Sequence, residues 1–181
     1  MKMNIESGKL LNGKAAGFIV YGLFQNELQK LSSYIPDKMT RKKAEELLTK
    51  KKFTGKTGQN QIVDCVHCQC QSNAILLVGL GNRNKYTLQT ARLLAAKACR
   101  QAECLGFEAV TVYLDSLKEK FSPAEIAAAL TEGAMLSAYS FDKYKSEAPT
   151  KFKVKQCIVW TNEVSAISKI RQSMRAAEIT A

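Results

Sequence analysis

The chain has 181 residues, 46% of them hydrophobic and 24% charged, which is enough for one domain with a substantial core. Its apolar runs are strand-sized, far short of the ~20 residues of a membrane span, and its opening residues lack the apolar stretch of a secretory signal. A formal charge of +11 makes polyanions natural partners, while six cysteines without a signal read as reduced thiols in a cytoplasmic protein.

Taken in order, residues 2–7 are expected to form a short edge strand and 16–23 a more buried one. Residues 40–51 suit a helix, with Thr40 as its cap and Ala44, Leu47 and Leu48 as an apolar stripe. A loop carrying Gly55 and Gly58 follows. Residues 62–70 and 74–79 then read as two strands joined by a turn at 71–73.

Thr87 opens a long helix on which Leu88, Ala91, Ala95, Ala98, Ala102 and Leu105 recur at three- and four-residue steps, and Gly106 stops it. Residues 107–114 are the next strand. Ser122-Pro-Ala-Glu125 is a capping box with proline in the first turn, opening a helix to about Tyr139. Gly133 inside that helix costs ~1 kcal/mol relative to alanine, so close packing against the sheet is expected there. Residues 151–160 form the last strand, and 161–181 a cap plus an amphipathic helix with Val164, Ile167, Ile170 and Met174 on one face.

Strands alternating with helices imply an α/β layer sandwich. The early strands and the 62–79 pair lie close enough in sequence to be antiparallel, so the sheet should be mixed, with about six strands flanked by helices. Cys99 and Cys157 fall inside apolar patterns and read as small core residues.

Three clusters invite chemistry. Gly79-Leu-Gly81-Asn82 before a helix could bind an anion through backbone N–H groups. Asn84 stands where a dinucleotide fingerprint needs its third glycine, however, so a tight strand-to-helix turn is preferred. Cys65-Val-His67-Cys68-Gln-Cys70 groups metal-type ligands, and His67 is the single histidine. On a strand, Cys65 and His67 would face away from Cys68 and Cys70, so this stretch alone cannot close a tetrahedron.

The third cluster is basic. Lys42, Lys43, Lys50, Lys51 and Lys52, with Arg83 and Lys85 beyond them, are candidate phosphate contacts for DNA, although a solvated helix face explains the lysines more simply. Asp64, Asp115 and Asp142 show no paired spacing for metal binding or acid–base work.

The order of several pieces carries a resemblance. These are Ala16-Gly-Phe-Ile-Val-Tyr-Gly-Leu-Phe24, Phe53-Thr-Gly-Lys56, Ala74-Ile-Leu-Leu-Val-Gly-Leu-Gly81, the helix at 87–106 and the helix exit over 132–145. Together they resemble the amino-terminal domain of the leucyl (cytosol) aminopeptidase family, over roughly residues 15–160. The resemblance implies a macro-domain-like three-layer sandwich at 1–160, with 161–181 starting a linker helix toward a catalytic domain.

In that family the metal-binding carboxylates and the catalytic lysine and arginine lie in the carboxy-terminal domain, in a string of the Asn-Thr-Asp-Ala-Glu-Gly-Arg kind. No such string occurs here, so no catalytic residue is carried over. The expectation is a non-catalytic domain needing no cofactor of its own. Two divalent metals, zinc or manganese, would belong to the parent enzyme's other domain. Expected partners are that catalytic domain, the sister subunits of a homo-hexamer and, in some bacterial relatives, DNA; a membrane is not among them. The fold analogy adds nucleotide or ADP-ribose binding at 79–84 as an alternative.

Overall fold

The computed structural model describes residues 1–8, 17–35, 37–65, 72–139 and 152–181. Among them, six strands form one mixed sheet in the order β1-β6-β5-β2-β4-β3. They are β1 (Lys2–Ser7), β2 (Gly17–Phe24), β3 (Asn60–Asp64), β4 (Ser72–Gly81), β5 (Ala109–Tyr113) and β6 (Gln156–Thr161). The helices are α1 (Leu31–Tyr34), α2 (Lys38–Lys50), α3 (Leu88–Cys104), α4 (Pro123–Ser137) and α5 (Ile167–Thr180).

Strand alternation sorts the core into two layers. Along β2, Phe18, Val20 and Phe24 join Leu76, Val78 and Val112 beneath α3, α4 and α5. The intervening Ile19, Tyr21 and Leu23 join Ile75, Leu77, Ala44 and Leu48 beneath α2. Because β2 and β4 are covered on both faces, they are continuous apolar runs rather than alternating ones. The result is the three-layer α/β sandwich read from the sequence.

Among the described strands only β3 and β4 run antiparallel, with Ile62 opposite Leu76. The expectation that the early strands pair with each other is corrected. β1 lies at the far edge, parallel to β6 with Met3 beside Cys157, and β2 sits centrally between β5 and β4. Pairing of β1 with the last strand rests on contacts across nearly the whole chain, which no local pattern announces.

Two local expectations also change. Asp37, not Thr40, caps α2: its carboxylate accepts from the Thr40 N–H at 2.7 Å, and Thr40 itself is buried in the core. Gly133 is required by α3 rather than by the sheet, because a Cβ there would stand 2.1 Å from the Arg92 carbonyl oxygen. The capping box forms as read, with Ser122 accepting from the Glu125 N–H and the Glu125 carboxylate accepting from the Ser122 N–H. Gly106 follows α3 with φ +79°, the left-handed turn a helix stop uses.

The helix over residues 167–180 folds back on the domain. Ile170, Met174 and Ala177 are buried, and α5 packs on α4 and alongside β1. Cys99 and Cys157 meet in the core between α3 and β6. Their hydrogen bond and burial push the Cys157 thiol well above its usual range.

Tyr86 is fully buried between Phe24 and Phe121, yet its hydroxyl finds no hydrogen-bond partner among the described residues. Burial pushes its phenol up to about 12. Removing an unsatisfied buried hydroxyl leaves no partner unpaired, so Tyr86→Phe is expected to be as stable as the parent or more stable by up to ~1 kcal/mol, read as an unchanged or raised melting temperature. A clear drop in a thermal melt would mean the hydroxyl is satisfied after all.

Candidate functional site

In sheets of this kind ligands collect outside the carboxyl ends of the parallel strands, and the chain places a polar cluster there. Glu27 follows β2, Arg83 follows β4, Asp115 and Glu119 follow β5, and Asn162 and Glu163 follow β6. The Arg83 guanidinium donates to both carboxylate oxygens of Glu27, at 2.8 Å from Nη2, and also pairs with Glu119. It lies 4.6 Å over the Phe24 ring. Lys30 pairs with Glu27 from the other side at 2.8 Å. The Arg83 hydrogen bonds, helped by Lys30, outweigh desolvation and hold the Glu27 carboxyl down at about 2.

A second knot adjoins it. Asp115 accepts from the Thr161 hydroxyl and the Asn162 N–H, both at 2.8 Å, and pairs with Lys118 at 2.7 Å. Burial opposes its charge, but these donors win and keep its carboxyl below the ordinary range. Lys118 reaches Glu163 as well, at 2.7 Å. The Tyr113 hydroxyl accepts from Asn162 Nδ2 at 2.7 Å. Burial and the nearby Asp115 push that phenol up to about 12. Tyr21, Tyr34 and Tyr113 stack or meet edge-on within 5.5–5.7 Å beneath it.

These charges are spent on one another. They tie the loops after four strands together. This network is what the sequence reading missed, since its members are far apart in the chain. The available signal was positional: each follows the carboxyl end of a parallel strand.

The glycines form a different feature. Gly79 N–H donates to Gln59 O at 2.9 Å and Gly81 N–H to Gly55 O at 2.8 Å. A Cβ on Gly79 would lie 2.2 Å from the Lys56 carbonyl oxygen. The Asn82 side chain accepts from the Asn84 N–H, closing a short 3-10 turn ahead of α3. The backbone donors an anion would need at Gly79 and Gly81 are therefore taken by the 53–59 loop, which the missing side chains allow to approach. Gln59 orders that loop by accepting from the N–H groups of Thr54 and Lys56, at 2.9 and 3.0 Å.

Beside it runs a mainly apolar groove of about 430 Å³, walled by Thr57, Val78, Leu80, Leu93, Lys97 and Arg100. Lys97 Nζ donates to Gly58 O at 3.0 Å across it.

The basic candidates are not gathered into one cleft. Lys42 lies 3.9 Å from Glu46 and Lys43 3.5 Å from Asp64, while Lys50 ends α2 and Lys51 and Lys52 follow it. Arg83 is held by two carboxylates and cannot serve as a phosphate contact without breaking them; Lys85 is exposed. Cys65 is half-buried after β3, whereas His67, Cys68, Cys70 and Asp142 lie outside the described residues. Among the described residues no group of three or more His, Cys, Asp or Glu side chains could hold a metal. The divalent metals implied for the parent enzyme therefore find no fitting ligand set there.

Residues 20–148 match the profile of the cytosol aminopeptidase family, N-terminal domain, which is most of the chain. The chain belongs to the cytosol aminopeptidase family. Within it, the chain is 30% identical over 124 residues to a probable cytosol aminopeptidase of Alkaliphilus oremlandii, covering 68% of this chain and 25% of that protein. With a Rickettsia canadensis counterpart the identity is 24% over 172 residues, covering 94% of this chain and 34% of the other.

Among solved structures, a tomato leucine aminopeptidase mutant superposes with TM-score 0.68 at 15% identity, covering 98% of this chain and 36% of that one. The bottromycin maturation enzyme BotP follows with TM-score 0.62 at 22% identity, covering 92% of this chain and 31% of its own. At such identities these two establish the fold. The chain spans about a quarter to a third of the length of the relatives it matches. No helix among the described residues is long and apolar enough to cross a membrane.

Proposed function

We propose that this chain is a non-catalytic amino-terminal domain of a cytosol-aminopeptidase-type metallopeptidase, serving to orient, assemble or give access to a separate catalytic body. The observation that carries the reading is where the likeness falls. The family match is to the N-terminal domain alone, and the fold match covers almost all of this chain but about a third of the larger enzyme. In the parent enzyme, a catalytic domain holding two divalent ions would release N-terminal amino acids from peptides, and residues 161–181 would lead toward it.

The chain's own residues are suited to holding shape. The ionic knots around Arg83 and Asp115 brace the loops at the sheet's carboxyl end. Apolar side chains stand exposed along α3 and α4, among them Leu93 in the groove wall and Leu136. Tyr139 is also exposed, and its carbonyl accepts from Arg100 of the same groove. Such a surface suits burial against a larger partner body.

Release of p-nitroaniline from leucine p-nitroanilide, with Mn²⁺ or Zn²⁺ added, is expected to remain at the buffer rate for the 181-residue chain. Turnover that co-elutes with the chain through gel filtration would defeat the reading.

A further inference from the structure

β1 is an edge strand with β6 on one side and no strand among the described residues on the other. The Lys2 N–H donates to Lys155 O at 2.8 Å and the Gly8 N–H to Thr161 O at 3.3 Å, so the even-numbered backbone groups of this strand serve the sheet. The parallel register then turns the N–H and C=O groups of Met3, Ile5 and Ser7 outward. Edges of this kind are usually blunted or covered.

This one borders a groove of about 260 Å³ whose other wall is α5, with Arg171, Met174, Arg175 and Glu178 facing Lys2 and Ile5. Arg171 and Arg175 are exposed and form no ion pair among the described residues, although the chain pairs Arg83, Arg92 and Arg100 with carboxylates elsewhere.

We propose that β1 and α5 form a docking groove for an extended acidic segment of a partner protein. The segment adds to the sheet as a further strand beside β1, with two carboxylates at alternate positions on Arg171 and Arg175. The geometry is matched. Residues four apart on a helix are separated by ~6 Å along its axis, and alternate residues of a strand by ~6.6 Å on one face. Main-chain hydrogen bonds to Met3, Ile5 and Ser7 would supply affinity and the arginines the preference for acidic-x-acidic segments. Glu178 at the far end of the groove disfavours a third acid in line. The excess of basic residues also favours this occupant over a second copy, since two chains of formal charge +11 repel each other.

The test uses the full 181-residue chain and the capped peptide Thr-Glu-Val-Glu-Val-Thr, with its glutamine counterpart as control. In amide-resolved spectra the glutamate peptide should shift Met3, Ile5 and Ser7 and slow their hydrogen exchange. Arg171→Gln with Arg175→Gln should weaken binding about tenfold while circular dichroism stays unchanged. Three results overturn the proposal: no β1 response to the glutamate peptide, equal binding of the glutamine peptide, or β1 protection that instead follows concentration-dependent dimerisation of the chain alone.

Discussion

Gly133→Ala is expected to destabilise the domain by about 2–4 kcal/mol, although alanine is the better helix former by ~1 kcal/mol. The added methyl carbon would stand 2.1 Å from the Arg92 carbonyl oxygen, and the carbonyl carbon and Cα of Arg92 lie within 2.8 Å. All three atoms are backbone within α3, so no rotamer change relieves the overlap. α3 and α4 would have to part along a seam that buries Ala91, Ala95, Ala127, Ala134 and Leu130. The Arg92–Glu132 ion pair beside the contact would be stretched as well. Urea unfolding of parent and variant measures the loss. Gly106→Ala is the control, since nothing lies within 4 Å of that position and only its φ of +79° opposes a side chain; a cost of about 1 kcal/mol is expected there. If Gly133→Ala matched the parent, the close approach of the two helices would be dispensable.

Arg83→Met should cost about 1–3 kcal/mol at pH 7, and the deficit should shrink in acid. Removing the guanidinium leaves the Glu27 and Glu119 carboxylates without the cation that both share. In the parent, Glu27 titrates at about 2 against an ordinary 4.5. Its folded value is depressed, so its stabilisation is complete above 4.5 and is lost as pH falls toward 2. That displacement is worth roughly 3 kcal/mol at full strength. Solvent reaches part of the pair, so about half is expected. Urea midpoints for parent and variant between pH 2.5 and 7 should converge at the acid end. A constant gap across that range would place the effect of Arg83 in its packing over Phe24 rather than in charge.

Features written in a few adjacent residues were legible in the sequence. The Ser122–Glu125 box, the stop at Gly106 and the runs at β2 and β4 needed only local chemistry to be read. Thr40 misled because Asp37 and Thr40 are both capping types three residues apart. The choice falls to the residue whose backbone is still extended just ahead of the helix, which is Asp37 with ψ 117°, whereas Thr40 already lies inside α2. Gly133 announced a close contact but not with which layer, since spacing along one helix says nothing about what crosses it.

The polar network at the sheet's carboxyl end was invisible for a related reason. Glu27 and Arg83 become neighbours only once β2 and β4 lie side by side. At Gly79 and Gly81 the sequence left two readings open, an anion cradle or a tight turn. The structure instead has both glycine N–H groups bonded to the 53–59 loop.

The pairing of β1 with β6 also has a consequence during biosynthesis. Of the six described strands, β1 is made first and has no place in the sheet until Gln156–Thr161 has followed it. At ~5–20 residues per second that delay is on the order of ten to thirty seconds. Throughout it, Met3 and Ile5 travel on a nascent polypeptide with no neighbour to hide them. Native assembly of this domain therefore closes late, on a pairing that spans nearly its whole length, and until then chaperone demand should concentrate on the unpaired first strand.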